Sequence, residues 1–383
     1  MNDATVEIVR VDDRHVASLA EFIRQVWDPL ATPERVRRAR AETAAANPSA
    51  YGEEAPTFLF LANRRAVGHV TTIPIGLWLG TAVQPAHWIK GLWVLPQHQN
   101  GPVGFLLLKE AVRHLGCALV LVVQPAPRRL LEALGFADLG VLPNFLRILE
   151  PAKILRKLDL GVIGLAGSPR WLSQVLRMSQ SSGISATVGG AAAYTARLWA
   201  AAAGRSPRRL EVQKPQGVNV KEWDDLWCST RAQIAAGPTR DGGYIRWRYD
   251  SSDEGRYRLV AVRDNGALAG FAVVRRPRAE GDPRLNGIRV ATLSEITFPK
   301  DRPDVGLAVL AAAEETAREL EADALLCSAS HRSLTPLLWR RAFVRIPGNL
   351  HFLVRDPRGD LALPQDLTDW WLTRGDMNAD EAF

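Results

Sequence analysis

The sequence predicts a two-domain protein of the α/β (α+β) class, in which each domain combines one sheet with flanking helices. Three observations predict this fold class. The chain has 383 residues, more than one domain usually contains. Its apolar fraction of 47% is ordinary for a globular protein. The same order of strand-like and helix-like patterns occurs twice, in residues 1–150 and again in residues 210–383.

The first half alternates between the two patterns. Strands are predicted at 6–11, 57–75 (two strands around a tight turn), 86–95, 117–123 and 141–149. Helices are predicted at 15–27, 32–45, 103–116 and 126–136. Thr32 is expected to cap the second helix, with Pro33 at its first position.

The second half repeats this order. Helices are predicted at 219–237, 304–322 and 333–343, and strands at 257–276, 288–298, 324–330 and 349–356. Asn265-Gly266 marks a hairpin turn inside the first of these strand segments. Residues 130–149 also align without gaps with residues 337–356. The repeat predicts a duplicated domain.

Residues 151–209 separate the two halves and carry most of the positive charge. The net charge of the chain is +7, and this segment alone holds nine Lys and Arg against one acid, Asp159. The rest of the chain is close to neutral, so no specific nucleic-acid partner is expected. Three interpretations stay open: a solvated helical connector that packs between the domains, a patch that attracts an anionic membrane surface or a lipid-linked substrate, and a site for a phosphate-rich soluble partner.

The remaining composition excludes several classes of protein. Cys117, Cys228 and Cys327 are isolated, and no Cys/His cluster has the spacing of a metal site. No apolar run reaches the ~18 residues of a membrane span. The N-terminal sequence lacks the features of a signal peptide. We therefore expect a cytoplasmic protein, with peripheral attachment to the inner membrane through residues 151–209 as an open alternative.

The stretch GLWVLPQHQNGPVGFLLLKEA, residues 91–111, leads from a strand through a polar loop into a helix. A pyrophosphate needs several backbone N–H donors and the positive end of a helix dipole. Gly101 and Gly104 let a ligand approach the backbone closely, and Gln99 and Asn100 can add side-chain donors. Pro102 removes one N–H but suits the first position of a helix. The loop is interpreted as both phosphate cradle and helix start, with a plain helix start as the alternative.

This stretch resembles the pyrophosphate loop of the GNAT acyltransferase superfamily, whose pattern is V-x-P-x-x-(Q/R)-x-x-G-x-G. Here it reads Val94-Leu95-Pro96, then residues 99–104, and the family's later L-G-F is matched by residues 134–136. The tail with Trp370 and Trp371 is similar to tails of bacterial tandem-GNAT proteins found with cell-envelope polysaccharide synthesis. The chain as a whole resembles such tandem N-acetyltransferases.

The resemblance implies two GNAT-like domains, at 1–150 and 210–383, each a mixed, mostly antiparallel twisted sheet flanked by helices. The helical basic segment 151–209 would join them. The first domain would bind acetyl-CoA or another acyl-CoA, and the second, degenerate domain would shape the site for a small-molecule amine such as an amino sugar. The implied cofactor-binding residues are Trp93, Val94, Gln99, Asn100, Gly101, Val103, Gly104 and Phe105.

The sequence departs from the family at positions that often carry catalysis. Pro102 replaces the first glycine of the loop, Leu131 replaces a tyrosine that often acts as general acid, and Trp88 replaces a frequent acid. Attack of an amine on a thioester still needs a base, an oxyanion site and a proton for the thiolate. A backbone N–H around Trp93–Val94 is expected to serve the oxyanion.

Three residues are the candidates for the base: Glu295, His331 and His87, the last with Lys90 on the same strand. Glu295 lies in an apolar strand and His331 follows the next one, so the fold would place them at neighbouring strand ends. Burial would raise the pKa of such a carboxyl group, which suits a base. The alternative is a paired structural glutamate and a surface histidine.

Two other functions stay open. One is a Fem-type transferase, which also pairs two GNAT-like domains but uses aminoacyl-tRNA. The other is a catalytically inactive double-GNAT protein that only binds or acts as a scaffold, which the replacements at Trp88, Pro102 and Leu131 would explain.

Overall fold

Two sheets organise the chain, and each forms the centre of one compact unit. The computed structural model describes residues 5–122, 124–157, 210–250, 255–281, 285 and 287–382. Unit 1 comprises Met1–Val141, Ala236–Thr239 and Asn349–Leu367. Unit 2 comprises Leu142–Ala235, Arg240–Gly348 and Thr368–Phe383.

Strands and helices are numbered along the whole chain. The strands are β1 (Val6–Arg10), β2 (Thr57–Ala62), β3 (Arg65–Leu79), β4 (Ala82–Val94), β5 (Cys117–Val122), β6 (Ala137–Val141), β7 (Asn144–Ile148), β8 (Leu210–Gln213), β9 (Ala236–Pro238), β10 (Tyr257–Asp264), β11 (Ala267–Arg275), β12 (Val290–Thr297), β13 (Ala324–Ser328), β14 (Val344–Ile346) and β15 (His351–Arg355). The helices are α1 (Val16–Val26), α2 (Pro33–Ala46), α3 (Val103–His114), α4 (Pro125–Ala133), α5 (Pro151–Lys157), α6 (Val220–Arg231), α7 (Gly242–Ile245), α8 (Pro303–Glu319) and α9 (Leu334–Arg340).

The sheet of unit 1 runs in the order β1-β2-β3-β4-β5-β15-β6, with β9 paired to β3. Its pairings are antiparallel except that of β4 with β5. Consecutive residues of β3 face opposite helices. A Cβ added to Gly68 would lie 2.7 Å from Leu107 and Val103 of α3, whereas His69 stacks on Phe22 of α1. Helices therefore cover both faces of this sheet.

The sheet of unit 2 runs in the order β14-β7-β13-β12-β11-β10-β8. Only β12 and β13 pair in parallel among the pairings of the described residues. Helix α8 packs on β11, where a Cβ added to Gly270 would lie 2.9 Å from Val305 and Val309. Both sheets are mixed, mostly antiparallel and flanked by helices, which confirms the predicted fold class.

The two units exchange strands, so their boundaries differ from the predicted 1–150 and 210–383. β7 comes from the first half of the sequence but pairs with β13 and β14 of unit 2. β15 comes from the second half but pairs with β5 and β6 of unit 1. These strands lie in the two segments that align with each other. Since their patterns are alike, the sequence identifies each as a strand without specifying its partner.

A buried cluster fixes the exchanged strand β7 in unit 2. The carboxylate of Glu314 on α8 accepts from Arg147 of β7 at 3.4 Å and from Arg341 after α9 at 2.8 Å. Glu314 has no exposed surface, and Arg147 is 4% exposed. Because a buried carboxylate is stable only when paired, this contact favours β7 in unit 2.

Local predictions were borne out at one helix start and wrong at one helix end. Thr32 caps α2 by accepting from the N–H of Arg35 at 3.3 Å. The helix predicted at 219–237 ends at Arg231, and its last residues form β9 beside β3. Backbone pairing with β3 outweighed the helical pattern there.

Most of the basic segment, residues 158–209, lies outside the described residues, so its three interpretations stay predictions. Its first residues form α5. No helix among the described residues is long and apolar enough to cross a membrane.

A fragment of residues 1–150 is expected not to fold by itself. It lacks β15, whose buried Phe352, Leu353 and Val354 belong to the core of unit 1. Burial of each such side chain contributes about 1.5–3 kcal/mol. Circular dichroism during urea titration measures the result, and a chain joining 1–141 to 349–367 through a Gly/Ser linker is the matched control. Cooperative unfolding of the 1–150 fragment would contradict the strand exchange.

Candidate active site

In unit 1, two neighbouring parallel strands separate after a short paired stretch. β4 and β5 pair only from Ala86–Cys117 to Trp88–Leu119. Beyond Trp88, residues 89–94 of β4 pair only with β3 among the described residues, while β5 continues along β15. Peptide groups alternate between the two sides of a strand. Alternate groups of residues 89–94 therefore face the gap, which is about 20 Å long at ~3.3 Å per residue. We call this gap the unit 1 fork.

A β-bulge bends β4 inside the unit 1 fork. Trp93 pairs with His69 and Lys90 with Thr71, so two residues of β4 oppose one of β3. One of the two is Gly91, whose φ of +64° lies in the left-handed region that favours glycine. The Gly91 carbonyl oxygen lies 2.9 Å from Nδ1 of His69. The bulge thus sets the direction of the peptide groups beside the fork.

The strand leads into a helix start with unused N–H groups. The first hydrogen bond of α3 runs from the Leu106 N–H to the Pro102 carbonyl at 2.9 Å. Within the described part of the chain, the N–H groups of Val103, Gly104 and Phe105 donate no hydrogen bond. Free N–H groups and the positive end of the helix dipole make such a start a site for anions.

The predicted cofactor-binding residues follow one another along this strand, turn and helix. Gln99 Nε2 donates to the Val94 carbonyl at 2.9 Å and closes the turn. The Gly101 N–H donates to the His98 carbonyl at 3.2 Å, so the turn itself uses it. Trp93 is 47% exposed, and Asn100 is also exposed. Their binding of a cofactor stays a prediction.

His87 lies in the paired part of β4, before the unit 1 fork opens. It stands opposite Pro74 of β3 and Ala118 of β5. Its Nδ1 atom is buried without a hydrogen-bond partner in the described structure. Burial, aided by the charge of Arg10, lowers the pKa of His87 to about 4. This position does not bring His87 to the open edge where the predicted chemistry would occur.

Unit 2 contains the same separation of strands. The ladder between β12 and β13 ends at Leu293–Cys327, and β12 continues to Thr297 along β11 alone. A bulge at Ser294 corresponds to the one at Gly91. We call this gap the unit 2 fork.

The C-terminal segment of the chain fills the unit 2 fork. The Gly375 N–H donates to the Ser294 carbonyl at 2.7 Å, and Trp371 Nε1 donates to the Ile296 carbonyl at 3.1 Å. From the β13 side, the Ser330 N–H donates to the Leu372 carbonyl at 3.2 Å. Trp370, Trp371 and Leu372 have no exposed surface. The edge of β12, which corresponds to the part of β4 that pairs only with β3 in the described structure, is therefore occupied here by the chain itself.

Glu295 lies under this segment as part of a buried ion network. Its carboxylate accepts from Arg240 Nε at 2.7 Å, and Arg240 Nη2 donates to Asp376 at 2.8 Å. All three side chains have no exposed surface. Burial raises the pKa of Glu295 to about 7 against the opposing charge of Arg240. The raised pKa was expected, but the sealed pairing matches the structural alternative and gives no support to Glu295 as a base.

His331 is covered by the same segment. Its ring lies 5.0 Å from that of Trp371, its Nδ1 is 2.8 Å from Ser333 Oγ, and it is 5% exposed. Burial lowers the pKa of His331 to about 4. Both His331 and Glu295 lie past the end of the ladder between β12 and β13, as expected. The C-terminal segment covers them both.

The sequence interpretation passed over His69, which lies at the bulge of unit 1. His69 stacks on Phe22 at 5.7 Å and meets Trp27 edge-on at 5.5 Å. It also lines a cavity of about 670 Å³ between α1, α2 and β3. Only its place opposite Trp93, the strand residue before the V-x-P motif, could have indicated it.

Comparison with known proteins supports the fold. No protein-family model and no curated protein sequence matches the chain. Among solved structures, a GCN5-related N-acetyltransferase from Kribbella flavida is similar with a TM-score of 0.54 at 13% identity, over 95% of this chain and 74% of that one. Another from Anabaena variabilis gives 0.55 at 10% identity, over 92% and 73%. N-myristoyltransferase from Saccharomyces cerevisiae, with bound myristoyl-CoA, gives 0.54 at 13% identity, over 93% and 85%. The chain therefore shares a GNAT-like fold with these enzymes.

Arg240→Met is expected to lower the free energy of unfolding of unit 2 by about 3–5 kcal/mol, because two buried carboxyl groups lose their shared cation. Glu295→Gln keeps an uncharged acceptor of the same shape and should cost about 1–2 kcal/mol. Urea denaturation at pH 7 measures both. Arg332→Met, which breaks an exposed pair with Asp369 in the same segment, is the matched control and should cost under about 1 kcal/mol. Unchanged stability of Glu295→Gln together with lost turnover would instead make Glu295 a catalytic base.

The free energy of unfolding should fall as the pH drops from 7 to 5, because three histidines together outweigh the opposite contribution of Glu295, whose pKa of about 7 favours the folded state at lower pH. Burial lowers the pKa of His69, His87 and His331 to about 4, against about 6.5 in the unfolded chain. Each group thus gives stability that is present above pH 6.5 and lost toward pH 4. The loss between pH 7 and 5 is about 2 kcal/mol for each fully buried histidine and less for the partly exposed His87. Urea titrations at several pH values measure how steeply the free energy of unfolding changes with pH. His331→Phe should lower this slope by the equivalent of one bound proton. An equal slope in that variant would contradict the burial of His331.

Proposed function

We propose that the protein is an acyl-CoA-dependent N-acyltransferase whose acyl-CoA site is the unit 1 fork. The observation that carries the proposal is the start of α3, where the N–H groups of Val103, Gly104 and Phe105 are unused directly after the forked strand. Because β4 separates from β5 and then leads into α3, one continuous segment offers both a strand edge and an anion site. The GNAT-like fold shared with acyltransferases supports the same assignment.

The residues present fit an acyl-CoA. The three N–H groups at the start of α3 would hold the pyrophosphate. The edge of residues 91–94, beyond the pairing with β5, would hold the extended arm, with its peptide groups as hydrogen-bond partners. A backbone N–H near Trp93–Val94 would face the oxyanion that forms when the amine adds to the thioester carbonyl. Acetyl-CoA or another acyl-CoA supplies the thioester.

The unit 2 fork would not bind a second acyl-CoA. The Ser294 and Ile296 carbonyl groups of its β12 edge already accept hydrogen bonds from the C-terminal segment, and Trp371 fills the space beside β12. A Cβ added to Gly306, the counterpart of Gly104, would lie 2.6 Å from Leu337, so the start of α8 is packed against apolar groups. We therefore propose one acyl-CoA site per chain.

The acceptor and the cellular role follow from the resemblance rather than from contacts. A small-molecule amine such as an amino sugar, a role near cell-envelope polysaccharide synthesis, and attachment of residues 151–209 to an anionic membrane surface are proposals on that ground. Transfer from aminoacyl-tRNA and a binding role without catalysis are the competing functions.

Gly104→Glu should abolish binding of acetyl-CoA while keeping the fold. A Cβ at Gly104 would meet Val94 at 3.7 Å and Leu130 at 3.8 Å, which is ordinary contact. A carboxylate in the first turn of α3 stabilises the free helix by about 0.3–1 kcal/mol, but it repels a pyrophosphate bound there. Isothermal titration calorimetry measures the affinity and the stoichiometry, which should be one in the wild type.

Gly104→Gln is the matched control, since it has the same size without the charge and should bind more tightly than the glutamate variant. Equal affinity of Gly104→Glu and wild type would place the anion elsewhere. Absence of binding by wild type to millimolar CoA, with binding to tRNA, would favour the aminoacyl-tRNA function. Binding of acetyl-CoA without transfer to any amine would favour the non-catalytic function.

A further inference from the structure

The cavity of unit 1 lies beside the unit 1 fork, because its lining residues His69, Thr71 and Thr72 on β3 pair with residues 89–94 of β4. His69 stands directly opposite Trp93 on β4 and lies 2.9 Å from the Gly91 carbonyl at the bulge. One strand spacing, about 4.8 Å, separates paired strands. His69 is therefore one strand away from the edge of β4 on which the thioester would lie. The inference below rests on the function proposed for that fork.

The hydrogen bond to Gly91 fixes which ring nitrogen of His69 carries the proton. A carbonyl oxygen only accepts, so Nδ1 donates and the neutral ring has its lone pair on Nε2. Nε2 has no hydrogen-bond partner within the described structure. The residue is 5% exposed, and stacking against Phe22 and Trp27 holds the ring in place. A buried ring with a free acceptor nitrogen beside a cavity is suited to receive a proton.

The cavity wall disfavours a cationic occupant. Its carboxylates are Asp28, 3.4 Å from Arg35, and Glu42, 3.7 Å from Arg38, and a third arginine, Arg40, also lines it. Arg40 in turn pairs with Glu54 at 2.6 Å, so every charged side chain of the wall already has a partner. An alkylammonium would find no spare counter-charge there.

The remaining wall combines apolar and aromatic side chains with four threonines whose hydroxyls already hydrogen-bond to other protein groups, Thr43, Thr57, Thr71 and Thr72. It includes Leu19, Ile23, Val36, Ala39 and the half-exposed Trp27. A flat, uncharged ring fits this chemistry better than a polyhydroxylated sugar, which would need many buried hydrogen-bond partners.

We propose that this cavity is the acceptor pocket, that its acceptor is an aromatic or similarly weakly basic amine bound in the neutral form, and that His69 is the base. The amine nitrogen attacks the thioester carbonyl carbon and forms the C–N bond. The nitrogen, now positively charged, gives its proton to Nε2 of His69. The C–S bond breaks with its electron pair on sulfur, and the thiolate takes one proton, so that amide and thiol are the products and His69 returns to its neutral form.

The low pKa of His69 agrees with a weakly basic amine as the acceptor. Burial lowers the pKa of His69 to about 4, with Arg40 acting in the same direction and the Gly91 hydrogen bond against it. A base this weak is poorly matched to an alkylammonium, whose pKa is near that of lysine, about 10.4. It is well matched to the acidic N–H formed when a weakly basic amine has attacked.

The test is acetyl transfer at pH 7.5 to substituted anilines, with benzylamine as the basic amine of similar size. In the wild type, kcat/KM for aniline should exceed that for benzylamine at least about tenfold. His69→Gln should lower kcat with aniline about 10²–10⁴-fold, the range for general acid–base catalysis, and leave the Kd of acetyl-CoA within about twofold. Preference for benzylamine, or full kcat in His69→Gln, would overturn the inference while acetyl-CoA binding kept the proposed function intact. Failure of the wild type to bind acetyl-CoA would contradict both this inference and the proposed function.

A second pair of variants tests the pocket if His69→Gln fails to fold. Ala39 and Ala45 are both exposed on α2, and only Ala39 lines the cavity. Ala39→Trp should raise KM for aniline at least about tenfold, and Ala45→Trp should leave KM unchanged. Equal KM values in the two variants would show that the acceptor does not enter this cavity.

Discussion

The site depends on the early end of the parallel ladder between β4 and β5. Because pairing stops at Trp88–Leu119, the rest of β4 presents a strand edge inside a sheet, where strand edges are normally covered. The same strand then turns through Pro96–His98 into α3 and brings a helix start to the end of that edge. The bulge at Gly91 completes the arrangement by turning a carbonyl toward His69. Removal of any one of these features would separate the proposed anion site from its strand edge, or the strand edge from the proposed base His69.

Unit 2 shows how the same geometry can be used for stability. Its fork is occupied by the C-terminal segment, which satisfies the edge of β12 and buries two tryptophans. The buried network of Arg240, Glu295 and Asp376 then ties this segment to β12. A buried charge without its partner is costly, so the network favours one position of the segment. Among the described residues, β4 at the unit 1 fork pairs with β3 alone, whereas the unit 2 fork has become part of the core.

The sequence was sufficient for the fold class and for the strand, loop and helix around residues 91–111, because alternating patterns, Pro102 and the glycines act locally. It was insufficient where the outcome depends on partners far along the chain. Nothing local in residues 141–149 or 349–356 shows that these similar strands exchange sheets. Glu295 looked like a desolvated base because its carboxylate is in an apolar strand, and its partner Arg240 is 55 positions away. His69 was passed over because its importance comes from a bulge on the neighbouring strand.

A crystal structure of the full chain with acetyl-CoA would decide between these roles of the two forks. One acetyl-CoA per chain should lie in the unit 1 fork, with its pyrophosphate on the N–H groups of Val103, Gly104 and Phe105 and its thioester beside the bulge at Gly91. The unit 2 fork should still hold Trp371. Acetyl-CoA bound in the unit 2 fork with the C-terminal segment displaced, or bound away from the start of α3, would contradict the assignment.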